Sequence, residues 1–248
     1  MKDTRFTVRS SRTLTESVYE LVLEGDTSDF TRPGQFVEIS VPGFFLRRPI
    51  SVSDWDANTL TLLIKEAGHG TGLLRTAFST PGSGLQVVTG LGNGFDLDAA
   101  QPGGAAVVGG GIGIAPLYGL ARRLAAAGKP PVAVLGFRNA SEIFLADKFA
   151  TLGCKVALAT EDGSSGTKGF VTDVLRALPG TSYVYACGPM PMLKAVAALP
   201  SVSGGQFSLE ARMGCGFGAC VGCTIQTVHG PARVCCDGPV FKKEEIAW

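Results

Sequence analysis

Cysteines crowd the carboxyl-terminal end of this chain, because five of the seven lie between residue 215 and the end at residue 248. Four of them, Cys215, Cys220, Cys223 and Cys235, give the spacing C-x4-C-x2-C-x11-C. The first three positions match a known ligand spacing for a [2Fe–2S] cluster, which four thiolates hold. The odd total and the close clustering favour metal ligation in a reducing compartment over a framework of disulfides. The segment therefore predicts an iron–sulfur centre.

Glycines separate these cysteines at Gly216, Gly218 and Gly222. A loop that wraps closely around a cluster and points backbone N–H groups at its sulfides needs residues without a Cβ. Disulfides, a zinc site and simple buried thiols are the alternatives. Zinc sites prefer paired C-x2-C units, and the segment has one such unit unless the adjacent Cys235 and Cys236 are used. Spacing alone does not choose between those two cysteines as the fourth ligand.

The composition argues against several classes of partner. The formal net charge is +1 and 17% of the residues are charged, so nothing suggests nucleic acid or an anionic membrane as a partner. The amino terminus lacks the apolar stretch of a secretory signal. The longest uncharged run, 99–121, contains Pro102 and Pro116, which is typical of a strand, a loop and a helix start rather than of a membrane span. We expect a cytoplasmic protein.

The hydrophobic pattern changes near residue 100. From 5 to 97, apolar and polar residues alternate in short runs, which is typical of an antiparallel barrel or sandwich. Later apolar runs are continuous and alternate with helical segments, which indicates a parallel α/β sheet. We predict a multi-domain protein with a connection at 92–104 between its first two domains. Its parts are an antiparallel β-barrel at 1–98, a parallel α/β domain at 104–204 and a small cysteine-rich subdomain at 206–248.

The α/β domain has four predicted strands, each followed by a predicted helix. Open α/β sheets bind ligands at the carboxyl ends of their strands, so these strand ends are the candidate sites. The predicted strands are 105–108, 132–136, 155–160 and 183–187, and the predicted helices are 115–127, 141–151, 170–178 and 190–199.

A glycine-rich loop follows the first of these strands and opens a helix. Pyrophosphate groups bind at such positions, because a helix N-terminus offers free N–H groups. The fingerprint is incomplete since Pro116 replaces its third glycine, and a tight turn without a ligand is the alternative. The strand–helix repeats favour a dinucleotide. The candidate contacts are Gly109, Gly110, Gly111 and Gly113.

Two further strand ends carry candidate nucleotide contacts. Glu161 and Asp162 follow the third strand, and carboxylates that face the adenosine ribose disfavour a 2′-phosphate, so NAD is expected rather than NADP. A solvated acidic loop is the alternative. The fourth strand ends where another helix begins, at Cys187, Gly188, Pro189 and Met190.

A basic motif, Arg47-Arg48-Pro49-Ile50-Ser51, precedes a strand of the predicted barrel. A flavin pyrophosphate is bound well by a guanidinium with short hydroxyl or N–H donors beside it. Gly70-Thr71, just before a predicted short helix, offers a second phosphate site through backbone N–H groups. Alone this motif is weak evidence, because surface arginines are common.

Taken in order, these motifs resemble the ferredoxin–NADP reductase superfamily. The resemblance covers essentially the whole chain. The cysteine segment, from Met213 to Phe241, narrows it, because it is similar to the electron-transfer subunits of type B dihydroorotate dehydrogenases.

The resemblance implies FAD in the barrel, NAD at the α/β domain and a [2Fe–2S] cluster near the carboxyl terminus. It makes Cys235, the first residue of a C-x-D-G-P motif, the fourth cluster ligand and leaves Cys236 as a variable position. Ile50 departs from the superfamily, which usually has an aromatic residue there that stacks on the flavin. The implied FAD contacts are Arg48, Pro49, Ile50, Ser51, Leu63, Ile64, Lys65, Gly70 and Thr71.

The resemblance also implies a partner, a separate FMN-containing subunit that oxidises dihydroorotate, in an assembly of two copies of each chain. Electrons would pass from that FMN through the cluster and FAD to NAD+, since a flavin can exchange electrons singly or in pairs. No residue of this chain is expected to act as an acid or base on the pyrimidine. Two alternatives remain: a reductase subunit that serves ferredoxin, sulfide or a hydrogenase, and a redox-sensing module without turnover.

Overall fold

A computed structural model describes residues 1–99 and 104–248. Its first part is a closed antiparallel barrel of six strands in the order β1-β2-β5-β4-β3-β6. Alternation builds it: Val37 and Ile39 point into the barrel and are fully buried, as are Leu60 and Leu62. The predicted barrel is confirmed. Its strands are β1 (Lys2–Thr13), β2 (Val18–Glu24), β3 (Phe36–Ile39), β4 (Arg48–Trp55), β5 (Thr59–Lys65) and β6 (Gly84–Leu91).

One helix interrupts the barrel, α1 (His69–Ala77), which lies between β5 and β6. Thr71 caps its start, because the Thr71 Oγ1 accepts hydrogen bonds from the backbone N–H groups of Ala67 at 2.9 Å and Gly68 at 3.2 Å. Leu74 is buried in the barrel core. The helix therefore packs on the barrel core through Leu74, and Gly70 of its first turn is also buried.

The second part is a seven-stranded sheet in the order β10-β9-β8-β7-β11-β12-β15. All its pairs are parallel except β12 with β15. The central strands are buried on both faces, as the continuous apolar runs predicted. The strands are β7 (Ala105–Gly110), β8 (Val132–Phe137), β9 (Val156–Thr160), β10 (Thr167–Lys168), β11 (Tyr183–Cys187), β12 (Gly204–Ser208) and β15 (Val240–Lys242).

The helices of this part follow the predicted order with one change. The predicted helix at 141–151 is a 3-10 turn (Ala140–Glu142) followed by a short helix, because Leu145 adopts a left-handed backbone with φ 62° between them. The Asn139 side chain caps the turn by accepting a hydrogen bond from the Ser141 N–H. The helices are α2 (Ala115–Ala126), α3 (Ala146–Thr151), α4 (Val171–Ala177) and α5 (Met190–Ala197).

The proposed limits of the three domains stay a prediction. Two strands beyond residue 203, β12 and β15, lie in the seven-stranded sheet, and the cysteine segment runs between them. That segment contains one hairpin, β13 (Thr224–Thr227) with β14 (Gly230–Arg233). Pro102 and Gly103 of the predicted connection lie outside the described residues.

The barrel and the sheet are packed tightly against each other. Helix α2 lies on β4, and a Cβ added at Gly119 would come within 2.6 Å of the Ser53 carbonyl oxygen. Arg122 bonds Asp54 with Nε to Oδ2 at 2.8 Å, and the Lys148 Nζ of α3 lies 2.9 Å from the Glu20 Oε2 of β2. These contacts hold the two parts in one arrangement. Among the described residues, no helix has the length and apolar character needed to cross a membrane.

Candidate functional site

The four predicted ligands form two pairs in the cysteine segment. Cys215 and Cys220 lie in the loop after β12, and their side chains interact with each other. Cys223 precedes β13, Cys235 follows β14, and the Cys235 N–H donates to the Cys223 Sγ at 3.4 Å. Each iron of a [2Fe–2S] cluster takes two protein ligands, so this donor set fits the cluster. Within 1–99 and 104–248, no three His, Cys, Asp or Glu side chains converge on one metal ion position.

Backbone geometry in the loop supports the same fit. Gly216 and Gly218 have φ of 76° and 93°, a region that favours glycine. A Cβ at Gly216 would lie 2.6 Å from the Glu38 Oε1, and one at Gly218 would lie 2.9 Å from the Cys236 Sγ. Val221 also has a positive φ, 52°, although it is β-branched. The loop therefore has a backbone conformation that would cost free energy if the segment were isolated from the rest of the chain.

The thiols of this segment differ in their electrostatics. Burial acts to raise the pKa of Cys215, but the backbone N–H groups of Phe217, Cys220 and Ala219 outweigh it and lower that pKa to about 6. Burial and the neighbouring Cys223 raise the pKa of Cys235. Ligation requires thiolates, and N–H donors around Cys215 favour that form.

Cys235 and Cys236 differ in burial. Cys235 is 1% exposed and lies against Cys223, whereas Cys236 is exposed and its Sγ lies beside Gly218. Cys235 therefore pairs with Cys223, and its role as the fourth ligand stays a prediction.

A cavity of about 270 Å³ lies where the barrel, the sheet and the cysteine segment meet. Seven predicted FAD contacts lie in its wall, and so do residues that sequence reasoning missed, among them Phe36, Ala115, Leu209 and Met213. The apolar wall suits the flat ring of a flavin. The predicted residues in the wall are Pro49, Ile50, Ser51, Leu63, Ile64, Lys65 and Thr71.

Arg48 and Gly70 lie outside that wall but touch each other. The Arg48 Nη1 donates to the Leu46 carbonyl at 2.6 Å, and its guanidinium stacks over the Phe44 ring at 4.4 Å. A Cβ at Gly70 would collide with the Arg48 Nε, so only glycine admits the guanidinium there. The arginine is thus held beside the first turn of α1, where a pyrophosphate would meet both N–H donors and positive charge.

A second cavity, of about 610 Å³, lies at the carboxyl ends of the parallel strands. The predicted nucleotide contacts Gly110, Gly111, Gly113, Glu161, Gly188 and Pro189 line it. Close packing requires three of these glycines, Gly110, Gly113 and Gly188, whereas a Cβ at Gly111 would meet nothing within 4 Å. A Cβ at Gly113 would lie 2.5 Å from the Cys187 carbonyl oxygen.

Four predicted nucleotide contacts lie away from this cavity's wall. Gly109 packs against Ile114, and Met190 is a surface residue at the start of α5. The Asp162 carboxylate accepts hydrogen bonds from the Ser164 N–H and Oγ, so it stabilises its own turn. Cys187 is buried, and burial raises its pKa to about 12, so it stays a neutral thiol.

Several residues of the second cavity were not predicted, including Arg138, Glu142, Phe170, Met192 and Glu210. Glu210 is the most informative, because Lys65, Ile112 and Glu210 line both cavities. Burial raises the pKa of Glu210. Glu210 follows the strand β12. Had that strand been predicted from the sequence, Glu210 would have been a candidate site residue, because it lies just after the carboxyl end of the strand.

Two family models match parts of the chain. Residues 107–198 match an oxidoreductase NAD-binding domain, and residues 210–247 match the iron–sulfur cluster binding domain of dihydroorotate dehydrogenase B. The curated relatives extend over the full length. The dihydroorotate dehydrogenase B (NAD(+)) electron transfer subunit of Geobacillus sp. (strain WCH70) is 44% identical, over 99% of this chain and 99% of its own. The chain belongs to this family of electron transfer subunits.

The corresponding subunit of Lysinibacillus sphaericus (strain C3-41) is 40% identical over 100% of this chain and 99% of its own. The family, its electron-transfer function and the cofactor set of FAD, [2Fe–2S] and NAD are confirmed. An electron transfer subunit of a dihydroorotate dehydrogenase also has a catalytic partner.

Solved structures agree with the fold. An NADH-dependent reduced ferredoxin–NADP oxidoreductase, described for flavin-based electron bifurcation, superposes with a TM-score of 0.87 at 30% identity, over 98% of this chain and 90% of the other. The flavohaem-like FAD/NAD binding domain of nitric oxide dioxygenase from Vibrio cholerae O1 biovar El Tor gives a TM-score of 0.66 at 20% identity, over 79% and 91%. At that identity the likeness shows the fold alone.

Proposed function

We propose that this chain carries electrons from the FMN of a dihydroorotate dehydrogenase catalytic subunit, through its [2Fe–2S] cluster and FAD, to NAD+. One observation carries the proposal: the predicted flavin cavity borders both the predicted dinucleotide cavity and the segment that carries the cysteines. The 270 Å³ cavity has walls from the barrel, from the loop after β7 and from the segment that holds the cysteines. A cluster, a flavin and a nicotinamide held at these sites would be neighbours without any rearrangement of the chain.

The protein groups divide the work of binding. Arg48 and the first turn of α1 hold the FAD pyrophosphate, and Ile50, Ser51, Leu63 and Ile64 form the bed of the flavin ring. Cys215, Cys220, Cys223 and Cys235 hold the cluster. When bound, FAD supplies the exchange between single electrons and a hydride that a cluster and a nicotinamide cannot make directly.

NAD binds in the 610 Å³ cavity over Gly110, Gly111, Gly113, Gly188 and Pro189. Glu161 lies in this wall and disfavours a 2′-phosphate, so the dinucleotide is NAD. Lys65, shared by both cavities, lies where the nicotinamide meets the flavin.

The partner is an FMN-containing catalytic subunit, and the assembly has two copies of each chain in the cytoplasm. An apolar rim suits such docking: Phe217 and Val221, 52% and 64% exposed, flank the cysteines in the loop.

The test is anaerobic mixing of the reconstituted protein with NADH, with flavin absorbance and the EPR signal of the cluster as readouts. We expect the flavin to bleach and the cluster signal to appear. A protein that binds both groups but shows no bleaching would be a redox sensor. Copurification with an FMN subunit and NAD+ reduction by dihydroorotate separate this function from that of a reductase for ferredoxin, sulfide or a hydrogenase.

A further inference from the structure

Glu38 occupies a barrel position that alternation would expose to water. Its neighbours on β3, Val37 and Ile39, point into the barrel, so the side chain of Glu38 points outward. Glu38 is nevertheless 2% exposed. The cysteine loop covers it, because Gly216 lies so close that a Cβ there would come within 2.6 Å of the Glu38 Oε1. The outward face of β3 is therefore the floor on which the cluster-binding loop lies.

The carboxylate of Glu38 is incompletely satisfied. Its Oε1 accepts no hydrogen bond from any residue of the described ranges. The two nearby guanidiniums have other bonds: Arg47 donates to Asp3 with Nη1 to Oδ1 at 3.2 Å, and Arg48 donates to the Leu46 carbonyl. A buried carboxyl without a full set of hydrogen bonds costs free energy. An apolar side chain would fill the same space at lower cost, so stability alone does not account for a carboxyl there.

Glu38 lies between the proposed flavin site and the proposed cluster site. In the barrel it pairs with Pro49 of the flavin-contacting strand β4 on one side and with Val88 of β6 on the other. Above it lies the loop that carries Cys215 and Cys220. A charge in this protein interior is screened less than one in water. The reduction potential of an iron–sulfur cluster depends on the net charge and hydrogen bonds around it.

We propose that Glu38 tunes electron transfer. Its buried carboxylate lowers the reduction potential of the [2Fe–2S] cluster, which makes the reduced cluster a stronger electron donor to the flavin. The inference rests on the proposed function, because it needs a cluster at the four cysteines. The physical reason is direct: above its pKa, which burial raises to about 7, the Glu38 carboxylate is a negative charge beneath the loop and opposes the arrival of another electron above it. Replacing the carboxylate by an amide of the same shape removes the charge and keeps the packing.

The test compares Glu38→Gln with the wild-type holoprotein and with Glu24→Gln, which removes an exposed carboxylate at the end of β2. The midpoint potential of the cluster is measured at pH 9 by EPR-monitored redox titration. We expect Glu38→Gln to favour reduction on the order of tenfold, a rise of about 59 mV for a one-electron couple. Glu24→Gln and the charge-conserving Glu38→Asp should stay near the wild-type value.

The outcomes are distinguishable. A Glu38→Gln cluster with an unchanged or lower potential overturns the role of Glu38 and leaves the proposed function standing. A wild-type protein without a [2Fe–2S] signal overturns the proposed function itself. Lower iron loading of the variant does not obscure the result, because EPR reports only on assembled clusters.

Discussion

The barrel and the cysteine segment are each stabilised by different interactions. The barrel has a closed hydrogen-bond ladder and its own apolar core, which includes Phe6, Leu21 and Ile64. The cysteine segment has one short hairpin, and its buried residues Cys223, Val234 and Cys235 belong to the core of the neighbouring sheet. We therefore expect the predicted flavin site to form without FAD, and the predicted cluster site to need the cluster to fix its loop. Removing each group should expose this difference.

The largest effect is expected from Cys223→Ser, which removes one thiolate of the buried pair. The cluster and its EPR signal should be lost, since serine is a poor ligand for this centre. Hydrogen exchange should speed up in 210–239, while the barrel keeps its protection and binds FAD. Cys236→Ser is the matched control, because that thiol is exposed and lies outside the predicted ligand set, and it should load iron normally. Loss of the cluster in the control instead would assign the fourth ligand to Cys236.

Arg48→Ala tests the preformed site. Loss of the charged donor beside α1 should weaken FAD binding by about 1.5–3 kcal/mol, or roughly ten- to a hundredfold in Kd. The cluster should remain, so the flavin-to-iron ratio falls. Arg48→Lys should rescue part of the affinity, since it restores charge without the planar fork. Fluorescence titration of the apoprotein with FAD measures both, and equal affinities in all three proteins would contradict the assignment.

Glu161→Gln should relax the choice of dinucleotide. With the carboxylate gone from the cavity wall, kcat/KM for NADPH should rise about tenfold, a change of about 1.4 kcal/mol. Asp162→Asn should change it little, because that carboxylate is bound to Ser164. Steady-state diaphorase kinetics with both dinucleotides provide the measurement. The reverse pattern would move the discriminating role to Asp162.

The smallest effect concerns the contact between barrel and sheet. Burial acts to raise the pKa of Glu20, but the hydrogen bond and charge of Lys148, with Arg12, outweigh it and leave that pKa lowered. The stabilisation is then present above the ordinary value of 4.5 and is lost as the pH falls through the lower folded value. Lys148→Met should lower the free energy of unfolding by about 1 kcal/mol at pH 7.

Thermal unfolding of both proteins from pH 7 to pH 3 checks that prediction. The gap between their midpoints should narrow with acid. A gap that stays constant across this range would assign the effect of Lys148→Met to packing against Tyr118 rather than to charge.

The sequence predicted what is local or periodic. Six strands of alternating residues predicted the barrel, and continuous apolar runs predicted the parallel strands β7, β8, β9 and β11. The strand β12 was missed because it begins with Gly204 and Gly205, which weaken any strand pattern. It exists because it pairs with β11, a contact between segments distant in sequence.

The missed site residues have the same cause. Glu210 was not predicted because it follows that unrecognised strand. Glu38 reads as a solvent-facing residue of an alternating strand, and its burial depends on a loop from the far end of the chain. Cysteine spacing, in contrast, needs no tertiary information, which is why the four ligands could be proposed from the sequence alone.

Ser208 at the end of β12 pairs directly with Val240 at the start of β15. The chain leaves the sheet at one of these residues and returns at the other, so both ends of the cysteine-rich stretch are fixed to the same sheet. The stretch is therefore not a mobile arm on a flexible linker. An electron donor must therefore dock on this chain. The rate of electron transfer will depend on the complementarity of the two docked surfaces and not on the motion of a carrier domain.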